Sequence, residues 1–161
     1  MCAVEFWSDS PYGVQPPLTD DAVRDAEKVL GVRLPEALLE LLRVQNGGVV
    51  VDERSAFPSE PNSWAPDHAP FDSLMGIGTA ERTTSLLDTP YLVEEWGLPS
   101  PVVLLTGDGH WWIALDYRAC GSAGEPSVVW LDADGESELA LAPDFRSFLA
   151  GLVPAEEFDQ L

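Results

Sequence analysis

Three strand signatures crowd into the stretch from Val102 to Leu131, with very little chain between them. Val102–Leu105, Trp111–Tyr117 and Ser127–Leu131 are parted only by Asp108-Gly109 and by a loop over Cys120–Glu125. A further short strand at Glu138–Leu141 pairs back across an Asp134-Gly135 turn. The flanks read as helical. Thr19 stands where a helix N-cap is wanted, Asp20 and Asp21 fill the first turn, and Val23, Ala26 and Leu30 form one apolar stripe that Gly31 ends. Pro35 opens a second helix at its first position. Leu38, Leu41, Leu42 and Gln45 share one side of that helix with Leu39 beside them, and Asn46-Gly47-Gly48 stops it, so the two helices make a hairpin. Behind Pro143, the residues Phe145, Phe148, Leu149 and Leu152 form a closing amphipathic helix.

Between these flanks the signals are weaker. Val49-Val50-Val51 reads as a strand, and strand signals return over Phe71–Ile77. The segment from Asp52 to Pro70 holds Pro58, Pro61, Pro66 and Pro70, which predicts a long irregular loop carrying Trp64. Short helices are predicted over Glu81–Asp88 and Tyr91–Trp96. The expectation is an α+β fold: an N-terminal helical hairpin, a central curved and mostly antiparallel sheet, and a C-terminal amphipathic helix. It is read as one domain over residues 1–161, with a core at about 18–152 and a Pro-rich loop at 52–70.

Charge narrows the function. The chain has 161 residues, with Lys+Arg 8 against Asp+Glu 28, a formal net charge of -20. Eight cations cannot track a run of phosphates against so many carboxylates, so nucleic acid is excluded as a partner, and a polybasic membrane-surface role falls on the same sign. A hydrophobic content of 45% argues against a disordered acidic tail. The longest apolar runs, such as Pro101–Leu105, fall far short of the ~20 residues of a membrane span. The start Met1–Trp7 lacks the basic n-region of a signal peptide. Cys2 and Cys120 are too few for a disulfide framework. A cytoplasmic protein with free thiols is expected.

No motif announces catalysis. Asp132-x-Asp134-x-Glu136-x-Glu138 has the alternation of a calcium loop, but counted from Asp132 the sixth position is Ser137, not Gly, and the twelfth is Pro143, not Glu. An Asp-Gly hairpin turn with solvated carboxylates explains the run. His68 and His110 have no metal-ligand spacing. A nucleophile would have to be Cys120 working with His110, and Gly76-Ile77-Gly78 lacks the third glycine of a dinucleotide loop. In so acidic a chain, nothing marks one carboxylate pair for glycoside hydrolysis. No cofactor, metal or catalytic residue is expected.

On the strand Trp111–Tyr117 the side chains alternate. Trp111, Ile113, Leu115 and Tyr117 face a core, whereas Trp112, Ala114, Asp116 and Arg118 face a half-wet side. Two readings of that second side stay open: an Asp116–Arg118 pair under a loop, or a partner surface in which Trp and Arg act as anchors.

Three elements together resemble the SMI1/KNR4 family of the SUKH superfamily. The first is Leu30-Gly31-Val32-Arg33-Leu34-Pro35 followed by an aliphatic helix and Asn46-Gly47-Gly48. The second is the pair Trp112–Arg118 and Glu125–Asp132. The third is Ala142–Leu149. The resemblance runs in order from Leu18 to Leu152 and departs at the Pro-rich insert 52–70 and the tail through Glu156 and Glu157. It implies an α+β domain without a catalytic set, in which Gly31, Gly47, Pro35, Leu115 and Phe148 have structural roles. Many bacterial members of the family look like immunity proteins that neutralise a toxin, often a nuclease. The partner it implies is therefore a basic toxin domain, or, in the alternative, a cellular protein held by a regulatory or scaffold module of the same fold. The expected surface joins Asp116, Arg118, Asp132, Asp134 and Glu136 of the late sheet to the exposed aromatics Trp64 and Trp112.

Overall fold

The computed structural model describes residues 6–80, 83–133 and 137–158. Helix α1 spans Asp20–Leu30. The Thr19 hydroxyl caps it by accepting from Ala22 N, and Gly31 ends it at φ +71°. Helix α2 spans Glu36–Val44. Pro35 sits one residue earlier than predicted, at the extended capping position, where its missing N–H leaves nothing unsatisfied. Five of the nine residues of α2 are buried, namely Ala37, Leu38, Leu39, Leu41 and Leu42.

The expected strand at Val49–Val51 is shorter. Strand β1 is Gly48–Val49, and Val50 forms an isolated bridge to Trp7. The Pro-rich segment is the largest departure from expectation. It is not irregular throughout: Asp52–Arg54 is a 3-10 turn, and β2 (Ala56–Pro58) pairs antiparallel with β3 (His68–Pro70). Pro58 and Pro70 lie at the ends of this two-stranded ribbon, positions where proline is tolerated in a strand. Of the predicted strand Phe71–Ile77, only β4 (Ser73–Leu74) forms, pairing with β1. The helix expected over Glu81–Asp88 is a 3-10 turn at Leu86–Asp88, while Glu81 and Arg82 lie outside the described residues. Helix α3 follows at Thr89–Trp96, ended by Gly97 at φ +64°.

The late strands form as expected; β5, β7 and β8 lengthen slightly, and β6 ends one residue early, at Asp116. Strands β5 (Val102–Gly107), β6 (Trp111–Asp116), β7 (Ser127–Asp132) and β8 (Ser137–Ala142) make one antiparallel sheet in sequence order. The Asp134-Gly135 turn lies outside the described residues. Helix α4 (Phe145–Ala150) closes the fold, capped by Asp144, whose Oδ1 accepts from Ser147 N at 2.7 Å. That bond, chiefly, holds the Asp144 carboxyl below the ordinary range.

Both faces of the four-stranded sheet are covered. On the first, Trp111, Ile113, Leu115, Tyr117 and Trp130 pack into the main core with the α2 leucines, Phe71, Phe145 and Phe148. On the second, Val102, Leu104, Trp112, Ala114, Val129 and Leu131 form a smaller core roofed by Leu92 and Val93 of α3, with Leu98 and Met75. Trp112, expected to be exposed, is therefore 4% exposed. Alternation set its side of the strand correctly, but α3 covers that side.

One polar residue ties the N-terminal half together. Asn46 is 3% exposed, and its Nδ2 donates to the Pro16 and Ile77 carbonyls, both at 2.7 Å, while its Oδ1 accepts from Ile77 N at 2.8 Å. Its own carbonyl accepts from Gln15 N at 2.8 Å. The next residue, Gly47, has φ +91°, and a Cβ there would stand 2.5 Å from Gly76 N, so only glycine fits. The Asn-Gly-Gly element is thus a junction of three chain segments as well as a helix stop.

Candidate protein-binding surface

The residues expected on the binding surface fall into two groups. Asp116 and Arg118 belong to a network on the second face of the sheet. Arg118 Nε donates to Asp116 Oδ1 at 2.9 Å, and its Nη2 donates to Asp116 Oδ2 at 3.0 Å and to Glu138 Oε1 of β8 at 2.9 Å. Burial pushes the Asp116 carboxyl up, but the hydrogen bonds and charge of Arg118 outweigh it and hold the carboxyl below its usual range. The same bonds push the guanidinium up. The Asp116–Arg118 pair thus forms, and it straps β6 to the outermost strand.

A carboxyl depressed in the folded state stabilises above its unfolded pKa, and that stability is lost as pH falls through the folded value. Arg118→Met is expected to destabilise by about 0.5–1 kcal/mol at neutral pH, the bidentate geometry being offset by solvent screening. The gap from wild type should begin to narrow below pH ~4 and be lost as pH falls through the lower folded value. Urea unfolding at pH 7 and pH 3 checks both halves, and an unchanged gap at pH 3 would contradict the assignment.

Trp64 and Asp132 come together at one end of the sheet. Trp64 lies between β2 and β3 and is 53% exposed. Its position is set by Asn62, whose Oδ1 accepts from Trp64 N at 2.8 Å and from Ala65 N at 3.0 Å. The Trp64 ring meets Trp111 edge-on at 6.1 Å between centroids, and Trp111 stacks on Trp130 at 4.7 Å. Trp111 pairs with Asp132 in the β6–β7 register, which puts a carboxylate beside the aromatic stack. Asp134 and Glu136 lie outside the described residues.

Three neighbours of this group were missed from sequence. Trp96, the last residue of α3, is 38% exposed and meets His110 edge-on at 6.0 Å. It lies against the β5–β6 turn so closely that a Cβ on Gly109 would stand 2.9 Å from its Cζ2. Asp108 shapes the turn, its Oδ1 accepting from His110 N at 2.9 Å and Trp111 N at 3.3 Å. Ala133 N donates to the His110 carbonyl at 2.8 Å, tying this turn to the chain leaving β7. A usable signal did exist in the sequence: the stretches 55–81, 83–117 and 119–145 contain no Lys or Arg. They contribute only acids to whatever surface they build.

The remaining candidates separate. His110 precedes β6 and Cys120 follows it, so a strand of roughly 20 Å parts the pair that nucleophilic catalysis would need. Cys120 is a free, exposed thiol, and Cys2 lies outside the described residues. His68 stacks on Phe158 at 4.2 Å, with Asp67 Oδ1 2.8 Å from its Nδ1. Among the described residues no group of three His, Cys, Asp or Glu is placed to hold a metal ion, and no helix is long and apolar enough to cross a membrane. A cleft of about 430 Å³ is lined by Tyr12, Ser73, Thr83, Thr84 and Thr106 above Trp112, hydroxyls rather than charges. Compared with known proteins, residues 17–151 match the family model described as SMI1 / KNR4 family (SUKH-1). No curated protein matches the chain.

Proposed function

Because the chain belongs to the SMI1/KNR4 family (SUKH-1), we propose that it is a non-catalytic protein-binding domain of the immunity type, which neutralises a toxin by stoichiometric capture. The observation that carries this reading is the distribution of a net charge of -20. Four of the eight cations, Arg24, Lys28, Arg33 and Arg43, sit on or beside the N-terminal helical hairpin, and acids there partner two of them: Arg24 bonds Asp21, and Arg43 reaches Asp20 and Glu36. The sheet end holding Asp108 and Asp132 is built from the stretches 83–117 and 119–145, which contain no Lys or Arg. A domain that grips nucleic acid carries a basic cleft, and an acidic surface complements it. Complementarity of this kind raises association rates by ~10–10³-fold, and a toxin has to be caught quickly.

The direct test is calorimetry against the product of the adjacent upstream reading frame at low and moderate salt. Tight one-to-one binding that weakens with salt supports capture, and no binding removes the immunity role. Against that partner, Asp108→Lys with Asp132→Lys is expected to slow association about tenfold at low salt and to flatten its salt dependence, while the dissociation rate changes less. Stopped-flow traces at three ionic strengths measure both rates. An unchanged association rate would place the steering charge elsewhere.

A further inference from the structure

Resting on the protein-binding reading, we infer that the partner is received at the end of the sheet bracketed by Trp64 and Trp96, and that it presents arginine side chains there. Six large hydrophobic residues are exposed among those described: Tyr12, Val29, Val44, Trp64, Tyr91 and Trp96. Val29 and Val44 belong to α1 and α2, and Tyr91 to the first half of α3. The two tryptophans meet consecutive residues of one turn, Trp96 touching His110 and Trp64 touching Trp111. Trp111 packs into the main core on the first face, whereas α3, which Trp96 ends, roofs the second, so the indoles stand on either side of the sheet end, with the turn between them.

Both indoles are held before any partner arrives. Trp64 is fixed by the two Asn62 bonds and by the Trp111–Trp130 stack beneath it. Trp96 is fixed by the helix it ends, by the left-handed Gly97 cap, and by its seat on Gly109, itself at φ +103°. An aromatic ring ordered in advance loses little entropy on binding, and tryptophan is among the residues most enriched at binding hot spots.

The chemistry between the rings selects the partner. Asp108 and Asp132 lie in and beside the turns, Glu94 and Glu95 are exposed on the helix that Trp96 ends, and no Lys or Arg occurs from 83 to 117. The opposite end of the sheet mixes both signs, with Arg33 and Arg118 among Glu27, Asp116 and Glu125. There the Tyr117 hydroxyl donates to the Arg33 carbonyl at 2.6 Å and Arg33 N donates to the Ser122 carbonyl at 2.7 Å, which puts a cation beside the β6–β7 loop. A guanidinium lies flat on an indole face and forks to a carboxylate in the same plane. Arginine satisfies both kinds of group at the Trp-bracketed end, and lysine, a compact and strongly hydrated charge, does so less well.

The test is amide and indole NMR of the full chain, titrated with a synthetic octa-arginine peptide and, separately, with octa-lysine. The expected result is that shifts concentrate on the Trp64 and Trp96 indoles and on amides 107–111 and 132–133, with octa-arginine binding several-fold tighter than octa-lysine. Trp64→Ala and Trp96→Ala should each weaken octa-arginine binding about tenfold while amides outside the patch stay in place. Trp64→Leu, which keeps apolar bulk and loses the π face, should weaken it nearly as much as alanine does. Shifts spread over Asp20, Asp21 and Asp25 of α1, equal affinity for the two peptides, or tryptophan variants within twofold of wild type would each overturn the inference. Localised arginine binding with no affinity for the neighbouring reading frame's product would keep this surface and remove the immunity role. Capture of that product undiminished by both alanine variants would remove this surface and keep the role.

Discussion

Replacing Asn46 by alanine lowers the unfolding free energy by about 3–5 kcal/mol, seen as a drop in urea midpoint at unchanged slope. The substitution leaves two buried backbone groups, the Ile77 carbonyl and N–H, and the partly buried Pro16 carbonyl without their partner. An orphaned buried donor or acceptor costs about 1–3 kcal/mol, less where water can enter, which sets the range. The loss is large against the total of about 5–15 kcal/mol that holds a domain folded. Asn46→Asp is expected to be no better at neutral pH. It keeps the acceptor that Ile77 N uses, but it sets a carboxylate oxygen against two carbonyl oxygens in a buried site. A midpoint within experimental error of wild type for either variant would contradict the junction role.

The second large effect is expected at Phe148. Its ring stacks on Phe57 of β2 at 4.7 Å, meets Phe71 edge-on at 4.9 Å, and lies 6.2 Å from Phe145 of the same helix. Those contacts join α4 to the Pro-rich ribbon and to the main core, so truncation empties a site lined by rings that cannot all collapse inward. Phe148→Ala should cost about 3–5 kcal/mol, whereas Phe148→Leu, which keeps most of the volume, should cost about 1–2 kcal/mol. Thermal melts and urea titrations of the two variants side by side check the order, and equal losses would mean that ring packing is not what holds α4.

The parts of this fold that were legible in sequence are those where one local rule decides. A Thr cap, an apolar stripe and a left-handed glycine define α1, and apolar runs parted by a turn and a loop define β5 to β7. The Pro-rich segment was misread because proline was counted without its position. Pro58 and Pro70 occupy strand ends, where a missing N–H breaks no ladder. Trp112 was misplaced for a different reason. Alternation sorts side chains onto two faces but cannot say whether a later element covers the second face, and α3 does. The Asp116–Arg118 pair was legible from its spacing, but Glu138, its third member, reaches it only through the sheet register. Trp96 went unnoticed because a single tryptophan at a helix end has no local signature. Its meaning comes from the turn it rests on, thirteen residues later at Gly109.

With packing on both of its faces, the four-stranded sheet leaves its turns and outer edge as the places where sequence can drift cheaply. Residues 108–110, Ala133 and the Trp64 loop belong to connections rather than to the core. On the proposed reading, those connections can be rewritten one side chain at a time, altering what is recognised while the interior that makes the protein fold stays as it is. Folding and recognition then evolve on separate clocks within one small chain.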